Sequence, residues 1–203
     1  MPYNPQRPVV CMDEKPYQLL GEARKPLPMR PGGDKKTDSE YIREGTCSIF
    51  VFTEPLGGIR HVSVREQRTA HDWAEEIKYL ADTSYPEVEK IILVMDNLNT
   101  HMPASLYKTF PPSEARRIAK KLEIHYTPKH GSWLDMAEIE LNIMTRQCLS
   151  RRIDNIEILR KELTAWENKR NENTCTIIWH FTSDHAREKL ISLYPKFHEK
   201  RLN

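Results

Sequence analysis

Two short apolar runs, each followed by an acidic residue, constrain the fold of this sequence more than any other feature. The first run, residues 9–12, is followed by Asp13, and the second, residues 91–95, is followed by Asp96. Runs of this length and apolar content are typical of strands that are buried on both faces. An acid at the end of such a strand often faces a crevice. Both acids are therefore candidates for a functional site, although an acid in this position can also start a turn or cap a helix.

The rest of the pattern predicts alternating strands and helices. Strands are predicted at about 9–15, 46–53, 59–64, 91–96 and 123–127, and helices at about 70–83, 103–110, 113–122, 155–171 and 183–193. The Pro- and charge-rich segment 16–44 is predicted to be a long loop. Residues 54–58 form a turn sequence that should join the second and third strands as an antiparallel hairpin.

Composition excludes several classes of protein. The 203 residues include 7 glycines and no GxxxxGK or GxGxxG sequence, which argues against a phosphate-binding glycine loop. No apolar run approaches the roughly 20 residues of a membrane helix, and the first residues do not resemble a signal peptide. We therefore expect a cytoplasmic protein. The four cysteines are spread singly, which argues against a zinc site or a disulfide.

The net charge of +2 conceals a basic C-terminal third. Residues 1–110 carry 14 Lys and Arg against 16 Asp and Glu, whereas residues 141–203 carry 12 against 8. Basic side chains in the early loop and in the later segments could contact nucleic-acid phosphates, although such charges are usually just solvated. The candidates for DNA binding are Arg24, Lys25, Arg30, Lys35, Lys36, Lys129, His130, Trp133, Arg151 and Arg152. Trp133, in the turn before Glu138, could stack on an unpaired base or fix that turn.

A third acid lies near the start of a further predicted helix. Met136, Ile139 and Ile143 recur there at helical spacing, which places Glu138 four residues before Asn142 on one face. An acid in a first helical turn can simply interact with the helix dipole. Three acids that meet would instead form a site for a divalent cation, since carboxylates are the ligands that Mg²⁺ prefers.

Four segments resemble DDE transposases, in particular the bacterial IS-six-thirty group of the mariner superfamily. They are MDE at 12–14, YIREGT at 41–46, VMDNLNTH at 94–101 and YTPKHGSWLDMAE at 126–138. The resemblance spans roughly residues 8–195. It implies an α/β ribonuclease H-like fold with a mixed five-stranded sheet flanked by helices. It also implies one catalytic domain over residues 1–203, with 150–203 as a C-terminal helical extension and without the N-terminal helix-turn-helix domain of its relatives.

The resemblance also assigns the acids. It implies that Asp13, Asp96 and Glu138 form the catalytic triad and ligate metal. Glu138 is preferred over Glu140, because the sequence LDMAE stands where the superfamily usually has Leu-Asn-Pro-Ile-Glu. The Asp in this sequence, Asp135, departs from that pattern and brings an extra carboxylate close to the metal site.

Three further residues are possible accessories of the triad. Asn97 and His101 match the polar segment after the second acid, where they would orient Asp96, contact DNA or cap a helix. Asn142 is included because of its spacing from Glu138.

The activity implied by the resemblance is DNA transposition. Two Mg²⁺ or Mn²⁺ ions per active site would support hydrolysis at the transposon ends and transfer of the freed 3′ end to target DNA. The implied partner is double-stranded DNA, as terminal inverted repeats and as a TA target, and a homodimer would synapse two ends. A bacterial, nucleoid-associated protein without membrane contact is expected. The alternatives are a ribonuclease H-like nuclease without strand transfer and an inactive DNA-binding remnant.

Overall fold

The computed structural model describes residues 3–24, 31–32, 38–128, 135–180, 182–189 and 191. Five strands lie in this part of the chain: β1 (Val9–Glu22), β2 (Tyr41–Glu54), β3 (Ile59–Arg65), β4 (Ile91–Met95) and β5 (Leu122–Tyr126). The helices are α1 (Ala70–Tyr79), which continues as a π-helical turn (Leu80–Ser84), α2 (Pro103–Thr109), α3 (Pro112–Lys121), α4 (Ala137–Gln147), α5 (Ile156–Glu172) and α6 (Ser183–Lys189). None of these helices is long and apolar enough to cross a membrane.

The strands form one mixed sheet in the order β3-β2-β1-β4-β5. The first three strands are antiparallel, and β4 and β5 are parallel to β1 and to each other. This confirms the predicted five-stranded mixed sheet. Pairing of β1 with β4 covers Val9 to Cys11 and stops there. The ladder therefore stops just before Asp13 and Asp96, and we expect a crevice at this place, at the carboxyl end of β4.

The predicted loop over 16–44 is wrong at both of its ends. β1 continues to Glu22 and β2 begins at Tyr41, so that the two strands form a long antiparallel pair. Pro16 is tolerated inside β1 because it lies beyond the short stretch paired with β4, where this side of the strand is an edge. The register shifts between Gln18 and Leu20, and there the Leu20 N–H donates to the Ile153 carbonyl across 2.9 Å. Tertiary pairing thus extends a segment whose composition favours a loop.

The helices of the structure begin close to the predicted positions. Thr69 and Asp72 form a reciprocal capping box at the start of α1, and Asn155 caps α5. Pro103 and Pro112 begin α2 and α3, where a missing N–H costs no hydrogen bond. The predicted helix over 183–193 is α6 up to Lys189; residues 190, 192 and 193 lie outside the described part.

A hydrophobic core lies on each face of the sheet. Phe50 and Phe52 point to one side, where they meet Trp73 of α1 and residues of α2 and α3. Ile49 and Val51 alternate with them and point to the other side, against α4 and α5. All four cysteines are free, as predicted from their spacing.

Helix α5 covers the outer edge of β3. The Asn171 side chain accepts from the Arg60 N–H and donates to the Arg60 carbonyl, in each case across 2.8 Å. Glu167 accepts from the Val62 N–H at 3.1 Å, and Arg160 donates to the Val64 carbonyl at 3.2 Å. The backbone groups that an edge strand would leave unpaired are therefore satisfied by helix side chains.

Candidate active site

The first two acids lie at the crevice between β1 and β4. Asp13 is half-buried in β1, two residues after the last residue paired with β4, and its Oδ1 accepts from the Glu14 N–H at 2.7 Å. Asp96 directly follows β4, and its side chain is 34 % exposed. The register of the parallel pair, Cys11 beside Val94, would place the two acids opposite each other if it continued.

Glu138 reaches the same region from α4. It is half-buried in the first turn of that helix. The pKa of Asp13 is raised to about 6, first by burial and then by the negative charges of Glu138, Asp96 and Glu14, against the opposing hydrogen bond from the Glu14 N–H. The fold therefore places Asp96 and Glu138 near enough to Asp13 for their charges to raise its pKa.

These acids do not yet form a set of metal ligands. Within the ranges that the structure describes, no three His, Cys, Asp or Glu side chains are close enough together to hold a metal ion. Ligation by Asp13, Asp96 and Glu138 stays a prediction, and it requires their side chains to approach one another.

Asp135 adds a fourth carboxylate to the site. Its residue is 3 % exposed, and its Oδ1 accepts from the Ala137 N–H at 2.9 Å. Its Oδ2 is buried without a hydrogen-bond partner among the described residues, and the Cys11 thiol lies beside the carboxylate. Burial raises the pKa of Asp135 to about 7, and the charges of Asp13 and Asp96 contribute. A buried, unsatisfied carboxylate oxygen beside further acids fits a site that accepts a cation.

A buried histidine bridges two acids at the same edge. The Nδ1 atom of His101 lies 2.7 Å from Asp96 Oδ1, and its Nε2 atom lies 2.7 Å from Glu14 Oε1. His101 is 1 % exposed, and the Glu14 side chain is 3 % exposed. Burial alone would lower the pKa of His101, but the two carboxylates outweigh it and raise the pKa to about 9. Each contact at 2.7 Å is thus a charge-assisted hydrogen bond.

The contact of Glu14 with His101 was not predicted from the sequence. A signal was present in the strand periodicity. Val10, Met12 and Glu14 alternate along β1, so the acid shares a face with two buried apolar residues. An acid in that position needs a buried partner, because an unpaired buried charge is costly.

The other acid of α4 and the predicted accessory residues have distinct surroundings. Glu140 is fully buried, and its Oε1 lies 2.7 Å from both Arg60 and Arg170. Asn142 donates to the backbone carbonyl of Glu138 at 3.0 Å. Asn97 is exposed after β4. Glu140 therefore joins a buried ion cluster with two arginines.

Three of the DNA-binding candidates lie in the part of the chain that the structure describes, and each forms an ion pair with an acidic side chain of the protein. Arg24 lies 3.2 Å from Glu40, Arg151 lies 2.5 Å from Glu162, and Arg152 lies 2.5 Å from Glu22. The remaining candidates, Lys25, Arg30, Lys35, Lys36, Lys129, His130 and Trp133, lie outside the described residues. A role in DNA binding stays a prediction for the whole set.

The mixed sheet, with one acid inside β1 just beyond its pairing with β4, a second acid directly after β4 and a third on a later helix, defines a ribonuclease H-like domain. A sequence profile described as DDE superfamily endonuclease matches residues 8–160, and the chain belongs to this family. No curated protein matches the chain.

Solved structures of the Mos1 mariner transposase share the fold. A Mos1 paired-end complex with Mn has a TM-score of 0.55 at 18 % identity, over 81 % of this chain and 49 % of that one. A Mos1 strand transfer complex gives 0.55 at 16 %, over 80 % and 48 %. A Mos1 paired-end complex with Mg gives 0.56 at 16 %, over 94 % and 57 %. The chain thus spans about half the length of these Mos1 chains, and identities this low establish the fold alone.

Proposed function

We propose that this domain is the catalytic domain of a DNA transposase. It hydrolyses phosphodiester bonds at transposon ends and transfers the freed ends into target DNA. The observation that carries the proposal is the position of Asp13 and Asp96 just beyond the last residues that pair β1 with β4, with Glu138 in the first turn of α4, which packs against β1. Membership of the DDE endonuclease family supports the same chemistry.

The acids of the crevice would hold the divalent ions. Asp13, Asp96 and Glu138 are the proposed ligands of two Mg²⁺ or Mn²⁺ ions. Bound divalent ions supply positive charge to the phosphate oxygens and make a bound water a stronger nucleophile. The buried Oδ2 atom of Asp135, which has no hydrogen-bond partner among the described residues, supports a cation at this place. The protein contributes the ligand positions and a half-buried crevice in which charges interact strongly.

The proposed partner is double-stranded DNA. It comprises the terminal inverted repeats of a mobile element and a target that contains a TA step. Mos1 has been solved in paired-end and strand transfer complexes, which supports DNA ends as the substrate class. Synapsis of two ends would use a homodimer. Origin in a bacterial insertion sequence and association with the nucleoid complete the proposal.

A nicking and joining assay tests the chemistry. Purified protein is incubated with Mn²⁺, supercoiled plasmid and a labelled DNA duplex that has a free 3′-OH. Asp96→Asn should abolish cleavage, because an amide is a poor ligand for a divalent cation, but it should leave DNA binding in a mobility-shift assay intact. Asp154→Asn changes an exposed acid and is the matched control, which should cleave as the wild type does.

Each outcome of this assay decides between functions. Nicked plasmid together with joined duplex supports a transposase. Nicking without joined product reduces the proposal to a nuclease of the same fold. Cleavage that persists in Asp96→Asn refutes the assigned triad, and DNA binding without any cleavage by the wild type indicates an inactive remnant.

A crystallographic experiment tests the metal site without DNA. Crystals soaked in Mn²⁺ should show one or two anomalous peaks between Asp13, Asp96 and Glu138. Peaks elsewhere on the surface, with none in the crevice, would contradict the proposed ligands.

A further inference from the structure

We propose that Glu14 and His101 are positioning residues that hold the Asp96 carboxylate in register with Asp13. The proposal deepens the function proposed above and rests on it for its catalytic consequence.

His101 is fixed at every polar atom. Its two ring nitrogens contact Glu14 and Asp96, as described above. Its N–H donates to the Leu98 carbonyl at 3.0 Å, and its carbonyl accepts from the Tyr126 hydroxyl at 2.8 Å. The Trp73 ring stacks on the imidazole with a centroid distance of 6.1 Å. A side chain held in this way can impose its position on Asp96.

The bridge joins two strands at the point where their backbone pairing has ended. The ladder between β1 and β4 stops at Cys11 and Val94. Glu14 lies three residues further along β1, and Asp96 lies two residues further along β4. Beyond this point, the backbone hydrogen bonds of the ladder no longer join β1 to the segment that follows β4. The contact from Glu14 through His101 to Asp96 is the connection that the structure shows there.

The bridge approaches the crevice from the opposite face of the sheet. Successive residues of a strand point to opposite faces, so Glu14 faces the core of α1 and α2 while Asp13 faces α4. Because the two acids are neighbours in sequence, an anchor on Glu14 also fixes the backbone of Asp13. One bridge therefore sets the relative positions of both catalytic acids without occupying the crevice.

The bridge leaves part of Asp96 free to bind. His101 contacts Oδ1 of Asp96, and the Asp96 side chain remains 34 % exposed. The second oxygen, Oδ2, can then face a ligand. Hydrogen-bonding partners of metal-ligating side chains commonly change metal affinity about 10- to 100-fold when they are removed.

Three variants and one matched control test the proposal. His101→Gln breaks the double contact, and Glu14→Leu removes one partner. Glu14→Gln keeps an acceptor oxygen at the same place and should restore part of the loss. His61→Gln is the control, because His61 is also half-enclosed between two acids, Glu76 at 3.2 Å and Glu167 at 3.6 Å, on the β3 edge of the sheet.

Mn²⁺ affinity and steady-state cleavage are the readouts. His101→Gln and Glu14→Leu should weaken Mn²⁺ binding about 10- to 100-fold and lower kcat by a similar factor. The KM for plasmid DNA should not change. His61→Gln should lose folding stability but keep the wild-type Mn²⁺ affinity. A folded His101→Gln or Glu14→Leu protein with wild-type Mn²⁺ affinity would overturn the proposal.

Crystal structures of the same variants separate this proposal from the proposed function. Without metal or DNA, the Asp96 carboxylate should change its rotamer in His101→Gln and in Glu14→Leu, and keep it in His61→Gln. If the wild type neither binds Mn²⁺ nor cleaves DNA, the proposed function fails, and a displaced Asp96 in the variants still supports the positioning role. An unmoved Asp96 in both variants refutes the positioning role whatever the activity of the wild type.

Discussion

Glu140 lies fully buried with its Oε1 atom 2.7 Å from Arg60 and 2.7 Å from Arg170. His61 is likewise placed between Glu76 and Glu167. At these positions each buried charge has partners of the opposite sign, as burial requires. The crevice differs, because Asp135 has no cationic partner among the described residues and its neighbours Asp13 and Asp96 are also acids. Among the described residues, Asp135 therefore lacks the partner of opposite charge that Glu140 has.

His61 predicts a pH dependence of stability. Burial would lower the pKa of His61, but hydrogen bonds to Glu167 and Glu76 raise it to about 9. A histidine whose pKa is raised in the folded state stabilises fully below its unfolded value of about 6.5, and this contribution is lost as the pH rises through 9. The free energy of unfolding should therefore fall between pH 6.5 and 9, by up to about 3 kcal/mol from this residue.

Urea unfolding at a series of pH values measures the effect. His61→Gln should reduce the pH dependence over this range but not abolish it, because His101, whose pKa is also raised to about 9, is unchanged in this variant. His125→Gln is the control, because His125 is 56 % exposed and pairs with Glu123 on the surface. An equal pH dependence in His61→Gln and in the wild type would contradict the prediction.

At the scale of elements, the sequence predicted those features that local chemistry determines. Capping residues and prolines set the starts of α1, α2, α3 and α5, and apolar runs identified β1 and β4. The extension of β1 to Glu22 could not be predicted, since Pro16 and the charged residues around it favour a loop and the pairing partner lies far along the chain. The contact of Glu14 with His101 was missed for the same reason, because the two residues lie 87 positions apart.

The role of α5 at the edge of β3 gives a prediction for this element. Asn171 satisfies both the N–H and the carbonyl of Arg60, a residue that is 2 % exposed. Asn171→Ala should cost about 1–3 kcal/mol, because it leaves buried backbone groups unpaired. Asn173→Ala, on the same helix end, removes an exposed hydrogen bond to the Lys169 carbonyl and should change stability by less than about 0.5 kcal/mol.

Denaturant titration measures the free energy of unfolding of the two variants. A larger loss in Asn171→Ala than in Asn173→Ala would show that the hydrogen bonds to the β3 edge stabilise the protein. Equal stabilities would mean that water replaces Asn171 at this edge without loss.

The whole molecule is organised around one sheet with a core on each face. β2 contributes to both cores, because Phe50 and Phe52 face α1 while Ile49 and Val51 face α5. Residues 150–203, predicted to be an extension, supply α5, whose Leu159, Leu163 and Trp166 belong to the second core. If one core unfolds, one face of β2 becomes exposed to water, and the opposite face of the same strand supports the second core. We expect the two cores to unfold together.

A pair of adjacent substitutions in α5 tests this coupling. Leu159 is fully buried in the second core, whereas Ile158, its neighbour, is 48 % exposed. Leu159→Ala should cost about 2–5 kcal/mol, because it removes buried methyl groups and leaves a cavity. Ile158→Ala should cost much less, since its side chain is already half in water. If the sheet couples the cores, Leu159→Ala should reduce hydrogen-exchange protection in α1, on the opposite face, as much as in β3. Protection lost in α5 and β3 but retained in α1 would mean that the two faces unfold separately, so that α5 is an appended layer and the part of the chain before it carries the stability of the candidate active site.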